Sequence, residues 1–134
     1  MEKVVVDSSV VVKWFVEEAG SQDARKLLRK HENETITLFA PDILILEVMN
    51  GLFFKAAFPK NELEGVLEKL FQAELQLISL EEGLVQKTLE LVVKERITFY
   101  DGLFITLARE LECPLITNDN KHHMKKMYKN IRYL

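Results

Sequence analysis

The stretch Lys3-Val4-Val5-Val6-Asp7-Ser8-Ser9 decides the architecture of this chain. Its β-branched run reads as a strand buried on both faces, as in a parallel sheet covered by helices. Asp7, Ser8 and Ser9 then supply N-cap side chains, so the chain passes from the strand straight into a helix. The pattern repeats. Further strands are expected at Thr37-Leu38-Phe39-Ala40, Leu77-Ile78-Ser79-Leu80, Pro114-Leu115-Ile116-Thr117 and Ile131-Arg132-Tyr133. Helices are expected over residues 10–16, 22–30, 43–57, 60–71, 81–95, 99–112 and 121–128, with Pro41-Asp42 opening the third of them. Strands separated by helices imply parallel crossovers. The fold class is therefore α/β: a three-layer α/β/α sandwich around a parallel sheet of about five strands.

Composition sets the outer bounds. A chain of 134 residues, 48% of them hydrophobic, makes one domain over residues 1–134. Only 5 Gly and 3 Pro are present, which excludes a disordered or low-complexity chain. The single Cys113 forbids an intramolecular disulfide and suits a reducing compartment. No apolar run approaches the ~18 residues of a membrane helix, and Met1-Glu2-Lys3 does not begin a signal sequence. A cytoplasmic protein without a membrane anchor is expected.

The net charge of −3 does not announce a nucleic-acid binder, but the distribution is uneven. No acid follows Asp119, whereas Lys121, Lys125, Lys126, Lys129 and Arg132 all do. Arg25, Lys26, Arg29 and Lys30 form a second basic group. Each group reads either as a solvated face or as a phosphate-facing patch.

In an open α/β sheet, ligands bind outside the carboxyl ends of the strands. Asp7 follows the first strand and Asp119 the fourth, so both stand at that edge. Each has an ordinary explanation, Asp7 as an N-cap and Asp119 as a turn residue in Asn118-Asp119-Asn120. Asp101 likewise reads as the third residue of a helix capped by Thr98. That helix leads down into the fourth strand, so at ~1.5 Å per residue its start lies about 15 Å back, at the carboxyl edge. Glu47 is harder to explain away. It lies in Ile43-Leu44-Ile45-Leu46-Glu47-Val48-Met49, apolar on nearly every side, and no Lys or Arg occurs between Lys30 and Lys55. An unpaired buried carboxylate costs several kcal/mol.

Four acids from four segments thus converge on one edge and need compensating charge. All-oxygen sites suit Mg²⁺ or Mn²⁺, whereas Zn²⁺ wants His or Cys. His122 and His123 are adjacent, a poor ligand spacing, and together with His31 they read as solvent-facing. Phe53, Phe54 and Phe58 read as core or dimer interface; Trp14 and Phe15 take the ordinary structural reading ahead of the alternative, stacking on nucleic-acid bases.

With these residues in place the sequence resembles the PIN-domain nucleases, in particular the toxin ribonucleases of VapBC toxin–antitoxin pairs. The resemblance rests on Val5-Val6-Asp7-Ser8-Ser9, Pro41-Asp42 with Glu47 and Asn50, Tyr100-Asp101 with Leu107-Ala108, and Leu115-Ile116-Thr117-Asn118-Asp119, in that order. It implies Asp7, Glu47, Asp101 and Asp119 as the catalytic, metal-binding acids, with Ser8, Asn50 and Thr117 as supporting residues. It further implies an RNA substrate hydrolysed with one or two Mg²⁺ or Mn²⁺ ions, a VapB-like antitoxin and a homodimer. Lys121, Lys125, Lys126 and Lys129 are then the RNA-binding candidates. Asn120 and Lys121 stand where some relatives carry a further acid, so the number of ions stays open.

Such chemistry needs no side-chain nucleophile, in keeping with the lack of a Gly-rich phosphate loop or a G-x-S-x-G elbow. A receiver-like phosphoacceptor fits poorly, because Ser79-Leu80 stands where it would need an acid. Two further functions suit the same pattern of residues. One is a PIN-like module that binds RNA or protein without cutting; the second is an RNA-processing PIN nuclease without an antitoxin.

Overall fold

The computed structural model describes residues 1–119 and 124–134. Five strands, β1 (Glu2–Val6), β2 (Ile36–Pro41), β3 (Gln76–Ile78), β4 (Leu115–Thr117) and β5 (Ile131–Tyr133), form one parallel sheet in the order β3-β2-β1-β4-β5. The helices are α1 (Ser8–Val11), α2 (Ser21–Glu32), α3 (Leu44–Phe53), α4 (Leu63–Gln72), α5 (Glu82–Glu95), α6 (Phe99–Glu110) and α7 (Met124–Met127). The expected α/β sandwich is the observed one. Right-handed crossovers place α1 to α4 on one face and α5 to α7 on the other. Direct packing agrees: α1 touches α2 and α3, α3 touches α4, and α5 and α6 pack together.

Val4, Val5 and Val6 show no polar alternation because β1 is the central strand and all three are buried. Leu38 and Ala40 of β2 join them, with Leu44, Val48 and Leu52 of α3 and Ile105 and Ala108 of α6. Among the described residues no helix is long and apolar enough to cross a membrane.

Several element boundaries depart from the sequence reading. The helix expected over residues 10–16 is one turn, α1, followed by a 3₁₀ turn at Val12–Trp14. Side chains draw the chain away there. The Trp14 indole donates to Ala24 O at 2.9 Å, and buried Lys13 donates to Ala19 O at 2.6 Å and to Glu18 at 3.0 Å. Pro41 does not open a helix; it ends β2, paired with Ile78. The following helix stops at Phe53, short of residue 57, and Lys60 Nζ takes the carbonyls of Lys55 and Phe58 at 3.1 and 3.3 Å. Strand β3 ends at Ile78, leaving Ser79 and Leu80 in the turn that leads to α5.

His31 is not a solvent-facing residue. Its Nδ1 accepts from the Leu38 amide at 3.1 Å and its Nε2 faces Ala73 O at 2.9 Å, tying α2 to β2 and to the end of α4. Asn120, Lys121, His122 and His123, for which the sequence also raised expectations, lie outside the described residues.

The pairing of α5 with α6 depends on Gly102. A Cβ there would lie 3.0 Å from Thr88 Cγ2 and 3.1 Å from Val92 Cγ2. Thr88 is fully buried and its hydroxyl is held by Leu84 O at 2.8 Å, so it cannot turn aside. Gly102→Ala therefore lowers stability by about 1 kcal/mol, the overpacking cost exceeding the helix-propensity gain. Urea unfolding checks this; a midpoint at or above that of the unaltered protein would show that α5 yields.

Candidate active site

Strand order reverses between β1 and β4: β1, β2 and β3 step one way from the centre, β4 and β5 the other. That switch point opens a crevice at the carboxyl edge. The register Val5↔Leu115 and Val6↔Ile116 brings the next residues, Asp7 and Thr117, side by side. The Asp7 amide donates to Ile116 O at 3.3 Å, the last bond of the ladder.

The Asp7 carboxylate is held from both sides. Its Oδ1 accepts from the Ser9 amide at 3.1 Å and from the Ser9 hydroxyl at 2.5 Å; its Oδ2 accepts from the Thr117 hydroxyl at 2.5 Å. Asp7 is also the N-cap of α1, so the ordinary explanation and the functional one are both satisfied by one side chain. Burial nevertheless pushes its carboxyl above the usual range, against the lowering effect of those hydrogen bonds.

Glu47 projects from the first turn of α3, and its Oε1 is buried without a hydrogen-bond partner. Its carboxyl is pushed up to about 7, first by burial, then by the charges of Asp101 and Asp7, while the Ser8 hydroxyl acts in the opposite direction. Both charges acting on it are negative. The helix is less enclosed than its sequence implies, since Leu46 is 71% exposed, yet the carboxylate oxygen itself is out of water. Asp101 sits in the first turn of α6, its amide capped by the Thr98 hydroxyl at 3.1 Å.

The charges of Asp101 and Asp7 therefore both act on Glu47, and the three acids come from three separate elements. Asp119 joins through the backbone: its amide donates at 3.0 Å to Thr117 Oγ1, the same hydroxyl that binds Asp7. Among the described residues, no three His, Cys, Asp or Glu side chains are close enough together to hold an ion as they stand. The fit to a cation rests on Glu47, whose Oε1 is buried and orphaned and whose carboxyl feels the charges of two other acids. A hard divalent cation is the chemistry that all-oxygen donors of this kind accept.

Asn50, one turn beyond Glu47, lines an apolar groove with Leu46, Met49, Phe53 and Tyr100 that runs up to Glu47. Lys125, Lys126 and Lys129 are exposed. Lys125 Nζ lies 5.0 Å from the Tyr133 ring centroid. Lys126 borders a cleft with Arg109 and Glu110, at the far end of α6 from Asp101. Sequence reasoning kept Ser9 among the capping residues and out of the supporting set, yet it holds Asp7 and also accepts from the Asn118 amide at 2.9 Å. An Asp followed two residues later by Ser is an N-cap pattern and could have flagged it. Tyr100, 60% exposed on the groove, was also passed over.

Comparison with known proteins bears on the fold and the family. The family model described as PIN domain matches residues 4–130. Ribonuclease VapC3 of Pyrobaculum aerophilum is 27% identical over 124 residues, covering 89% of this chain and 91% of that protein. Among solved structures, VapBC2 from Rickettsia felis, bound to a DNA fragment from its promoter, has a TM-score of 0.70 at 17% identity, over 98% of both chains. VapC20 of Mycobacterium tuberculosis, a sarcin-ricin-loop cleaving toxin, has a TM-score of 0.71 at 12% identity, over 88% of this chain and 91% of that one. A toxin–antitoxin complex from Klebsiella pneumoniae has a TM-score of 0.68 at 15% identity, over 96% and 95%. Identities this low speak for the fold, whereas the family match spans nearly the whole sequence: the chain belongs to the PIN domain family.

Proposed function

We propose that this protein is a Mg²⁺- or Mn²⁺-dependent endoribonuclease, the toxin of a toxin–antitoxin pair. The observation behind this reading is the buried, unpartnered Glu47 Oε1 beside Asp101 and Asp7 at the switch point of a PIN fold. The likeness to VapC ribonucleases supports the substrate class. Asp7, Glu47, Asp101 and Asp119 would hold one or two ions. When bound, the metal supplies positive charge against a scissile phosphate and acidifies water.

The chain's own residues prepare that site. The Thr117 and Ser9 hydroxyls, both donating to Asp7, favour its ionised form. Ser8 does the same for Glu47. Lys121, Lys125, Lys126 and Lys129 are assigned to the RNA backbone. VapBC complexes among the structural neighbours support an antitoxin partner, and the apolar groove beside Glu47 is the kind of exposed surface such a partner covers. A homodimer would cover further exposed apolar side chains, among them Phe54, Leu89 and Val93. A cytoplasmic location fits a protein whose substrate is RNA.

Glu47 gives the decisive test. Its carboxyl stands at about 7 when folded against the usual 4.5, so the folded apo protein keeps a proton that the unfolded chain releases. Apo stability therefore falls as pH rises from about 4.5 to 7, then levels off for this group. Glu47→Gln abolishes that slope and at pH 8 is as stable as the unaltered protein, or more so by about 1 kcal/mol. Metal-dependent cleavage is lost. In the unaltered protein, Mn²⁺ raises the melting temperature and EDTA reverses the rise. A mutant weakened by roughly 3–5 kcal/mol but still active would mark a structural ion pair and remove Glu47 from the site. RNA binding without cleavage in any metal would favour the non-catalytic module.

The basic face is tested separately. Lys125→Glu with Lys129→Glu weakens RNA binding and lowers the salt slope by at least about 1, from loss of two single-strand phosphate contacts. Mn²⁺ affinity stays as it was. Unchanged RNA affinity would return these lysines to the solvated-face reading.

A further inference from the structure

Asp7 and Asp119 leave two different strands, and no covalent feature sets their separation. Beyond the β1–β4 ladder, hydrogen bonds through Ser9 and Thr117 tie the two segments together. The Ser9 hydroxyl donates its only proton to Asp7 Oδ1 at 2.5 Å, and its oxygen accepts from the Asn118 amide at 2.9 Å. Thr117 repeats the arrangement: its hydroxyl donates to Asp7 Oδ2 at 2.5 Å and accepts from the Asp119 amide at 3.0 Å. Two hydroxyls thus bridge the two carboxylate oxygens of Asp7 to two successive amides of the segment after β4. The oxygens of Ser9 and Thr117 lie 3.4 Å apart, but both protons are committed to Asp7, so the pair acts as two parallel struts.

The adjacent serines also divide the work. Ser8 reaches the Glu47 carboxyl from α3, whereas Ser9 reaches Asp7 and the segment beyond β4. One turn of α1 thereby touches three of the four segments that bear the acids.

We infer that Ser9 is a positioning residue, whose hydroxyl sets the spacing and orientation of Asp7 against Asp119 for divalent-cation binding. The inference rests on the carboxylate-site reading above. It makes Ser9 a residue behind the donors, neither ligand nor base. Residues in that position hold donor oxygens in place, and losing one costs ~10–100-fold in metal affinity.

The test compares Ser9→Ala and Ser9→Thr with the unaltered protein, using Mn²⁺ alone as the probe. Ser9→Ala keeps the backbone amide bond to Asp7 but removes the strut. Calorimetric Mn²⁺ affinity falls ~10–100-fold, and the Asn118 amide, freed of its acceptor, exchanges with solvent faster. Ser9→Thr restores the hydroxyl and returns both readouts to near the unaltered values, which separates loss of the strut from general weakening of α1. Ser9→Ala with unchanged Mn²⁺ affinity, or with an Asn118 amide exchanging as before, overturns the inference. Failure of the unaltered protein to bind Mn²⁺ removes the carboxylate site itself and the inference with it. That failure is recognisable because it needs no substitution.

Discussion

Parallel pairing of β1 with β4 is the constraint on which the rest depends. Both strands end at the same level, so Asp7 and Thr117 emerge side by side and the Asp7 amide closes the ladder on Ile116 O. β1 is also the strand from which the order reverses, with β2 on its other side. A crevice follows from topology before any side chain is considered. The helix after β2 then brings Glu47 to the same edge, and the helix before β4 brings Asp101. No long loop is required to assemble the acids.

The site is held against its own electrostatics. Burial and like charge both raise the Glu47 carboxyl, and burial raises that of Asp7 despite three hydrogen bonds to its oxygens. A structure optimised only for folding would place a base or an apolar residue at position 47. Departures of this kind, where local stability is given up, are where function is expected. The surrounding hydroxyls of Ser8, Ser9 and Thr117 offset part of the cost. The apolar core beneath, built on Val5, Val6, Leu44 and Val48, keeps these side chains in place.

Much of the fold was legible from the sequence because its elements are strongly patterned. The amphipathic run of α5 and the apolar run of α6 were placed almost to the residue, and β5 was placed fully. Misplaced boundaries share a cause in side chains that reach across space. Lys60 gathers carbonyls after α3, Trp14 and Lys13 bind carbonyls beyond α1, and Pro41 fits a strand whose edge partner, Ile78, is remote in sequence. Single-residue patterns cannot report such partners. His31 was misread for the same reason, since both of its ring nitrogens bond to backbone from other elements.

For the candidate site, the sequence by itself determined which residue types stand at the carboxyl ends of β1 and β4. It also showed that Glu47 has no nearby base along the chain. These are local facts, set by strand period, capping chemistry and the order of elements. Only the tertiary structure decided that Glu47 feels the charges of Asp101 and Asp7, that its Oε1 is orphaned, and that Ser9 and Thr117 bind opposite oxygens of one carboxylate. Those relations join residues as much as 110 positions apart. They depend on strand register and helix approach, which place side chains to within a few ångströms, while sequence pattern places them only to within an element.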